Sequence, residues 1–176
     1  MKEIYFAGGC FWCTEAVFQR LKGVEKVTSG YANGEGENPT YEEVSSGESG
    51  FAEAIKVEFN PDIISLEKLL EVFWATHDAT SLNRQGNDVG TQYRSGIYFS
   101  DESEKEVVEK SKSEQPENEK IVTDIEPLKN FFTAEEYHQN YYNQNKENNM
   151  YCPVVITPKI TKLLEKFNSE VKEEYL

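Results

Sequence analysis

The chain has 176 residues and a formal charge of −14, with 32 Asp and Glu against 18 Lys and Arg; 38% of residues are hydrophobic and 12% aromatic. This fits one globular domain with an adequate core rather than a disordered chain. It disfavours a nucleic-acid backbone as partner and a transmembrane segment, because no apolar run approaches the ~20 residues that span a bilayer. The acidity reads first as solubility.

Residues 2–7 read as a strand, and 12–21 as a helix with Ala16, Val17 and Leu21 at helical spacing. Val24 to Ala32 reads as a second strand, followed by a polar, glycine-rich loop from Asn33 to about Gly50. Phe51 to Phe59 alternates as a strand and stops at Asn60-Pro61. Ser65 caps a helix carrying Leu66, Leu69, Leu70, Phe73 and His77 on one face. Asp78 to Gln92 is a second polar loop, and Tyr93 to Phe99 another strand. Ser100 is placed as the cap of a charged helix, Ile121 to Ile125 as a further strand, and Thr133-Ala134-Glu135-Glu136 as a capping box. Thr157 and Pro158 fit the cap and first position of a last helix.

The order β-α-β-β-α-β is that of a ferredoxin-like α+β unit, a two-layer α/β sandwich, with added helices and an irregular C-terminal segment. One domain over 1–176 is expected. It divides into a core at 2–140, a mobile segment at 141–157 carrying Cys152, and a C-terminal helix with an acidic tail at 158–176. Two long loops in so compact a unit suggest active-site walls.

The most informative feature is Cys10-Phe11-Trp12-Cys13 behind Gly8-Gly9. A strand, a tight turn and a helix start place Cys10 at the positive end of a helix dipole, which predicts a thiolate of lowered pKa. Cys13, one turn on, is close enough to bridge, and the two aromatics can wall an apolar pocket or simply pack in the core. The three cysteines are an odd number, which argues against a secreted disulfide scaffold, and the N-terminal apolar stretch is too short and broken for a signal peptide. A cytoplasmic protein with working thiols is expected, with monomer the simpler default.

Glu53 shares a strand face with Phe51, Ile55, Val57 and Phe59. A carboxyl pointing where core should be is pushed toward its protonated form, suiting a proton donor; a salt bridge or a wet strand end is the bland alternative. Tyr93 is placed on a face with Ser95, Ile97 and Phe99, and its hydroxyl needs a partner. Tyr41 and Asp88 sit in the two polar loops, where each is ordinarily a turn residue. His77 reads as a helix-end group and His138 stays open. Zinc would need Cys10, Cys13 and Cys152 plus His77 or His138, without a second closely spaced ligand pair. A thioredoxin-type disulfide oxidoreductase would share the C-x-x-C but has no use for Glu53 and two tyrosines.

Several blocks occur together in order: Gly8-Gly9-Cys10-Phe11-Trp12 with Glu15, Gly30-Tyr31, Asn38-Pro39-Thr40-Tyr41 and Ser49-Gly50-Phe51-Ala52-Glu53-Ala54. Phe73-Trp74 with His77-Asp78, the run Arg84 to Ser95 and Tyr137-His138-Gln139 complete them. This combination resembles the peptide methionine-sulfoxide reductase A family. It departs at Phe51, where the family commonly has histidine, and at Ala79, where it commonly has proline. The resemblance implies reduction of the S epimer of methionine sulfoxide, free or in proteins, with no bound cofactor or metal. In that scheme Phe11 and Trp12 receive the methyl group, Glu53 protonates the oxygen, Tyr41 and Tyr93 hold it, and Asp88 helps position the substrate. Cys10 becomes a sulfenic acid. Cys13 or Cys152 then resolves it, with Cys152 favoured to attack first and Cys13 to carry the disulfide outward to thioredoxin, the external reductant.

Overall fold

The computed structural model describes residues 1–176 apart from the side chain of Cys152. In chain order the elements are β1 (Lys2–Gly8), α1 (Phe11–Phe18), β2 (Val24–Ala32), α2 (Tyr41–Ser45), β3 (Ala52–Phe59), α3 (Leu66–Thr76), β4 (Arg84–Gln85), β5 (Asp88–Val89) and β6 (Ser95–Phe99). Then come α4 (Glu102–Ser113), β7 (Asp124–Pro127), β8 (Phe131–Thr133), α5 (Tyr141–Asn145) and α6 (Thr157–Phe167). A mixed α/β architecture results, with a six-stranded sheet in the order β7-β6-β1-β3-β2-β8. Among the described residues only the β6–β7 pair is parallel.

The two sheet faces are built from different side chains. On one, Ile4, Phe6, Ile55 and Val57 meet the helices, and Phe6 stacks with Phe18 of α1 at 5.0 Å and Phe73 of α3 at 4.8 Å. Burial of each such ring contributes roughly 1.5–3 kcal/mol. On the other, Ala7, Ala32, Ala52 and Ala54 leave a shallow surface beside Tyr5 and Tyr98, covered by Leu128 and Phe131. Both faces of β1 are therefore buried, which fixes the end of that strand, Gly8, and the thiol two residues beyond it.

Several expected elements shift. The first helix ends at Phe18, because the chain turns through Gln19 and Arg20 into Gly23 at φ +87°. The first polar loop contains α2, capped by Thr40, whose side chain accepts from the Glu43 N–H. The charged helix α4 is capped by Asp101 rather than Ser100, with a reciprocal Glu104 bond. The proposed capping box at Thr133 does not form: Thr133 closes β8, and Glu135 instead accepts from the Tyr31 hydroxyl and the Tyr41 N–H. Thr157 lies inside α6, whose cap position is Ile156. Part of the segment expected to be irregular is the short helix α5. No described helix is long and apolar enough to cross a membrane.

Candidate active site

Cys10 occupies the position just before α1, with Gly9 joining it to Gly8 at the end of β1. Gly9 has φ +92°, and a Cβ there would stand 2.7 Å from the Gln85 side chain. Glycine is thus required both by the turn and by the β4–β5 hairpin packed on it. Gln85 in turn bonds the main chain of Asp78 through both its amide atoms, fixing the hairpin to the end of α3. That hairpin brings Asp88 to the site.

Glu53 lies on β3 opposite Tyr31 and is 1% exposed. Its Oε1 accepts the Phe11 N–H at 3.1 Å, so the carboxyl is tied to the residue next to Cys10. Burial pushes its pKa up to about 8 against the pull of that N–H, and the nearby Asp88 and Cys13 charges add to the rise. Phe51 is buried against Gly34 and meets Phe132 edge-on at 5.9 Å, so the departure at Phe51 leaves the Glu53 strand face apolar. Ala79 is buried, and its carbonyl accepts from the Val122 N–H.

The expectation of a Cys10 thiolate is corrected. Cys10 is half-buried to solvent yet packed by protein on most sides. Burial, its hydrogen bond to Cys13 and the Glu53 charge push its pKa well up, outweighing the Trp12 N–H at the helix start. Cys13 is brought down to about 7, chiefly by the Cys10 thiol, with Lys159 and Tyr151 helping against burial. The helix end acts, but two sulfurs sharing protons in a dry place decide which holds the charge.

Tyr93 sits on a single 3₁₀ turn, Thr91–Tyr93, and not on the strand with Ser95, Ile97 and Phe99. Both Tyr41 and Tyr93 are half-buried and pushed up, first by burial and next by the Glu53 charge, with Cys10 adding to each. The two tyrosines, Glu53 and Cys10 therefore share one electrostatic neighbourhood. Phe11 is fully buried between Tyr31 and His138, whereas Trp12 is half-buried. The Trp12 indole lies flat on Tyr141 at 3.7 Å and donates its N–H to His138 Nδ1 at 3.0 Å. His138 is held neutral by burial. His77 is half-buried and neutral, its pKa pushed down to about 4 by the protein packed around the ring, with its nitrogens bonded to the Phe73 carbonyl and the Ser95 hydroxyl.

Beside the thiols lies a cleft of about 750 Å³ lined by Cys10, Cys13, His77, Asp88, Tyr151 and Lys159, among others; Glu53, Tyr41 and Tyr93 do not line it. Tyr151 and Tyr141 escaped the sequence reading, and Glu15 entered it only as a motif residue without a role. The Tyr151 hydroxyl lies 3.6 Å from Cys13 Sγ and donates to Asp88 Oδ2 at 2.8 Å. Glu15 is buried on α1 and accepts the Asn140 and Tyr141 N–H groups at 2.8 and 3.2 Å, seating Tyr141 against Trp12. Adjacency of Tyr151 to Cys152 was the one signal available for it. The Cys152 side chain, and with it part of the zinc alternative, lies outside the described residues. No three His, Cys, Asp or Glu side chains converge as a metal site among those described.

Paired thiols against a neutral buried acid, with two hydroxyls and an aromatic wall, can take an oxygen from a soft centre and store it as a sulfur oxide. Comparison with known proteins agrees. The family model described as Peptide methionine sulfoxide reductase matches residues 2–172. A protein of Pasteurella multocida (strain Pm70) named Peptide methionine sulfoxide reductase MsrA is 55% identical, covering 94% of this chain and 96% of that protein. The crystal structure of Mxr1 from Saccharomyces cerevisiae in reduced form aligns with TM-score 0.81 at 41% identity, covering 86% of this chain and 89% of that one. Mxr1 in complex with Trx2 aligns with TM-score 0.58 at 34% identity, covering 80% and 84%. On the match across nearly its whole length, this chain belongs to the peptide methionine sulfoxide reductase family.

Proposed function

We propose that this protein reduces the S epimer of methionine sulfoxide, free or within proteins, through a sulfenic acid on Cys10. The observation that carries the reading is Glu53: a carboxyl 1% exposed, bonded to the Phe11 N–H beside the Cys10 thiol. With a pKa near 8 it keeps its proton at neutral pH and can give it to the sulfoxide oxygen. Tyr41 and Tyr93 hold that oxygen, Asp88 helps position the substrate, and Trp12 walls the methyl group with Phe11 packed behind it.

As the oxygen is protonated, Cys10 attacks the sulfur and its own proton passes to Cys13. The sulfoxide S–O bond then breaks, its oxygen bonds to Cys10 as hydroxyl, and the new sulfur–sulfur bond breaks with its electron pair going to methionine, which leaves Cys10 as S–OH. Cys13, one turn on with its N–H on the Cys10 carbonyl at 3.0 Å, then closes a disulfide. This reading puts Cys13 ahead of Cys152 on proximity, with Cys152 the candidate for exchange toward thioredoxin. Thioredoxin as reductant is supported by the Mxr1 complex with Trx2. The strand order β6-β1-β3-β2 supports a ferredoxin-like frame for the site.

The test is a thioredoxin-coupled assay on separated sulfoxide epimers. The S epimer is expected to turn over and the R epimer not. Cys10→Ser should abolish turnover, and Glu53→Gln should lower it by roughly 10²–10⁴-fold, the range for loss of a general acid. Reduction of insulin disulfides with no turnover of either epimer would refute the reading.

A further inference from the structure

Closing the disulfide requires Cys13 to lose a proton in a place where water has little access. Cys13 is 2% exposed, and in the mechanism above it has just received the proton of Cys10. A buried thiol attacks poorly until that proton has somewhere to go. Beyond Cys10, one polar atom among the described residues lies in hydrogen-bond contact with the Cys13 sulfur: the Tyr151 hydroxyl, at 3.6 Å. That hydroxyl has one proton, and it points at Asp88 Oδ2, 2.8 Å away. When Cys13 carries the proton, that hydrogen stays on the carboxylate and the tyrosine oxygen faces the thiol as an acceptor; when Cys13 is a thiolate, the hydroxyl can turn to it instead. Thiol, phenol and carboxylate thus form a chain in which each donor faces the next acceptor.

We infer that Tyr151 is a further catalytic residue: its oxygen takes the Cys13 proton while its own proton passes to Asp88, freeing Cys13 to attack the sulfenic acid on Cys10. The Cys13–Cys10 S–S bond forms as the Cys10 S–O bond breaks. The sulfur of Cys13 is oxidised and that of Cys10 reduced, with no outside electrons. The departing hydroxide collects the proton from Asp88, so one thiol and one sulfenic acid give one disulfide and one water. Tyrosine never ionises in this step. Burial and the two neighbouring thiols push its own pKa far up, which suits a group that passes a proton and does not hold a charge. Lys159, on the same cleft, favours the transient Cys13 thiolate. Asp88 thereby has a second task, after any part in placing the substrate.

The inference rests on Cys10 being the residue oxidised by the sulfoxide, and the test separates the two claims. Cys152→Ser protein, with and without Tyr151→Phe, is mixed with one equivalent of a peptide bearing methionine S-sulfoxide and no reductant. Quenched samples are read for methionine released, for Cys10 sulfenic acid captured by dimedone, and for the Cys10–Cys13 disulfide by mass spectrometry. In Tyr151→Phe the rate of disulfide closure relative to methionine release is expected to fall roughly 10- to 100-fold at neutral pH, toward the scale of lost acid–base help. Dimedone capture should rise to match. The deficit should shrink as pH rises, because free hydroxide then removes the Cys13 proton. Closure at the parent rate, or a deficit equal at every pH, would overturn the role of Tyr151. Methionine release with no Cys10–Cys13 disulfide in the parent would overturn it too, leaving the sulfoxide chemistry standing. Failure of the parent to release methionine would overturn both.

Discussion

Glu53 shows how one side chain couples stability to chemistry. Its folded pKa, near 8, lies above the ordinary carboxylate value of 4.5. For a raised pKa the sign is fixed: the contribution to stability is whole below the unfolded value and is lost as pH climbs through the folded one. Glu15, raised to about 7 by burial, adds to the same loss over an overlapping range. Glu53→Gln removes the ionisation and keeps the shape. Its melting temperature should therefore rise relative to wild type as pH goes from about 5 to about 9. A constant offset between the two melting curves would mean that Glu53 is hydrated and the burial argument wrong. The same logic explains why the Cys10 thiolate could not be read from its motif. A helix start lowers a thiol pKa by local geometry, but burial by packing from distant segments, with the Cys13 thiol and Glu53 beside it, raises it. That packing exists only after folding.

At the scale of elements, the hairpin β4–β5 is the part on which the site geometry turns. It is two residues per strand, lies on Gly9 and delivers Asp88 to Tyr151. Gly9→Ala would force a side chain into a left-handed backbone and against Gln85. A loss of about 1–3 kcal/mol is expected, with a larger fractional loss of turnover than of global stability. Denaturant titration beside the epimer assay would check this, and a variant of wild-type stability and activity would contradict it. The sequence made β1, β2, β3 and α3 legible because each carries a sustained pattern. The alternation from Phe51 to Phe59 and the Ser65 cap before Leu66, Leu69, Leu70 and Phe73 are clear examples. It did not reveal β8, α5 or the hairpin, since two to five residues carry no period. Tyr93 was misplaced because the run Tyr93 to Phe99 continues a strand pattern that the chain breaks at a 3₁₀ turn. Tyr151 and Tyr141 were missed for another reason: their partners Asp88 and Trp12 are remote in sequence, and nothing local marks such a contact.

Taken as a whole, the molecule is a sheet with two unlike faces holding one dry corner. The aromatic face packs Phe6, Phe18 and Phe73 beneath the Cys10 turn, while the alanine face lets the chain around Phe131 lie close to Ala52 and Ala54. The C-terminal chain returns over α1, where Glu15 receives Asn140 and Tyr141, Arg20 bonds Asn143, and Leu21 bridges Val171. The site thus draws on several parts of the fold: Cys10, Trp12 and Cys13 on α1 and its cap, Glu53 on β3, Tyr41 on α2 and Asp88 on β5. The central claim is that a buried, protonated Glu53 supplies the proton that lets Cys10 take the oxygen. The most direct measurement is the pH dependence of methionine release in a single turnover, for wild type and Glu53→Gln. Wild type should release methionine fastest between about pH 7, where Cys13 is free to take the Cys10 proton, and about pH 8, and lose rate above that, while Glu53→Gln should be slow and lack the falling limb. A falling limb of the same midpoint in Glu53→Gln would show that the proton comes from elsewhere.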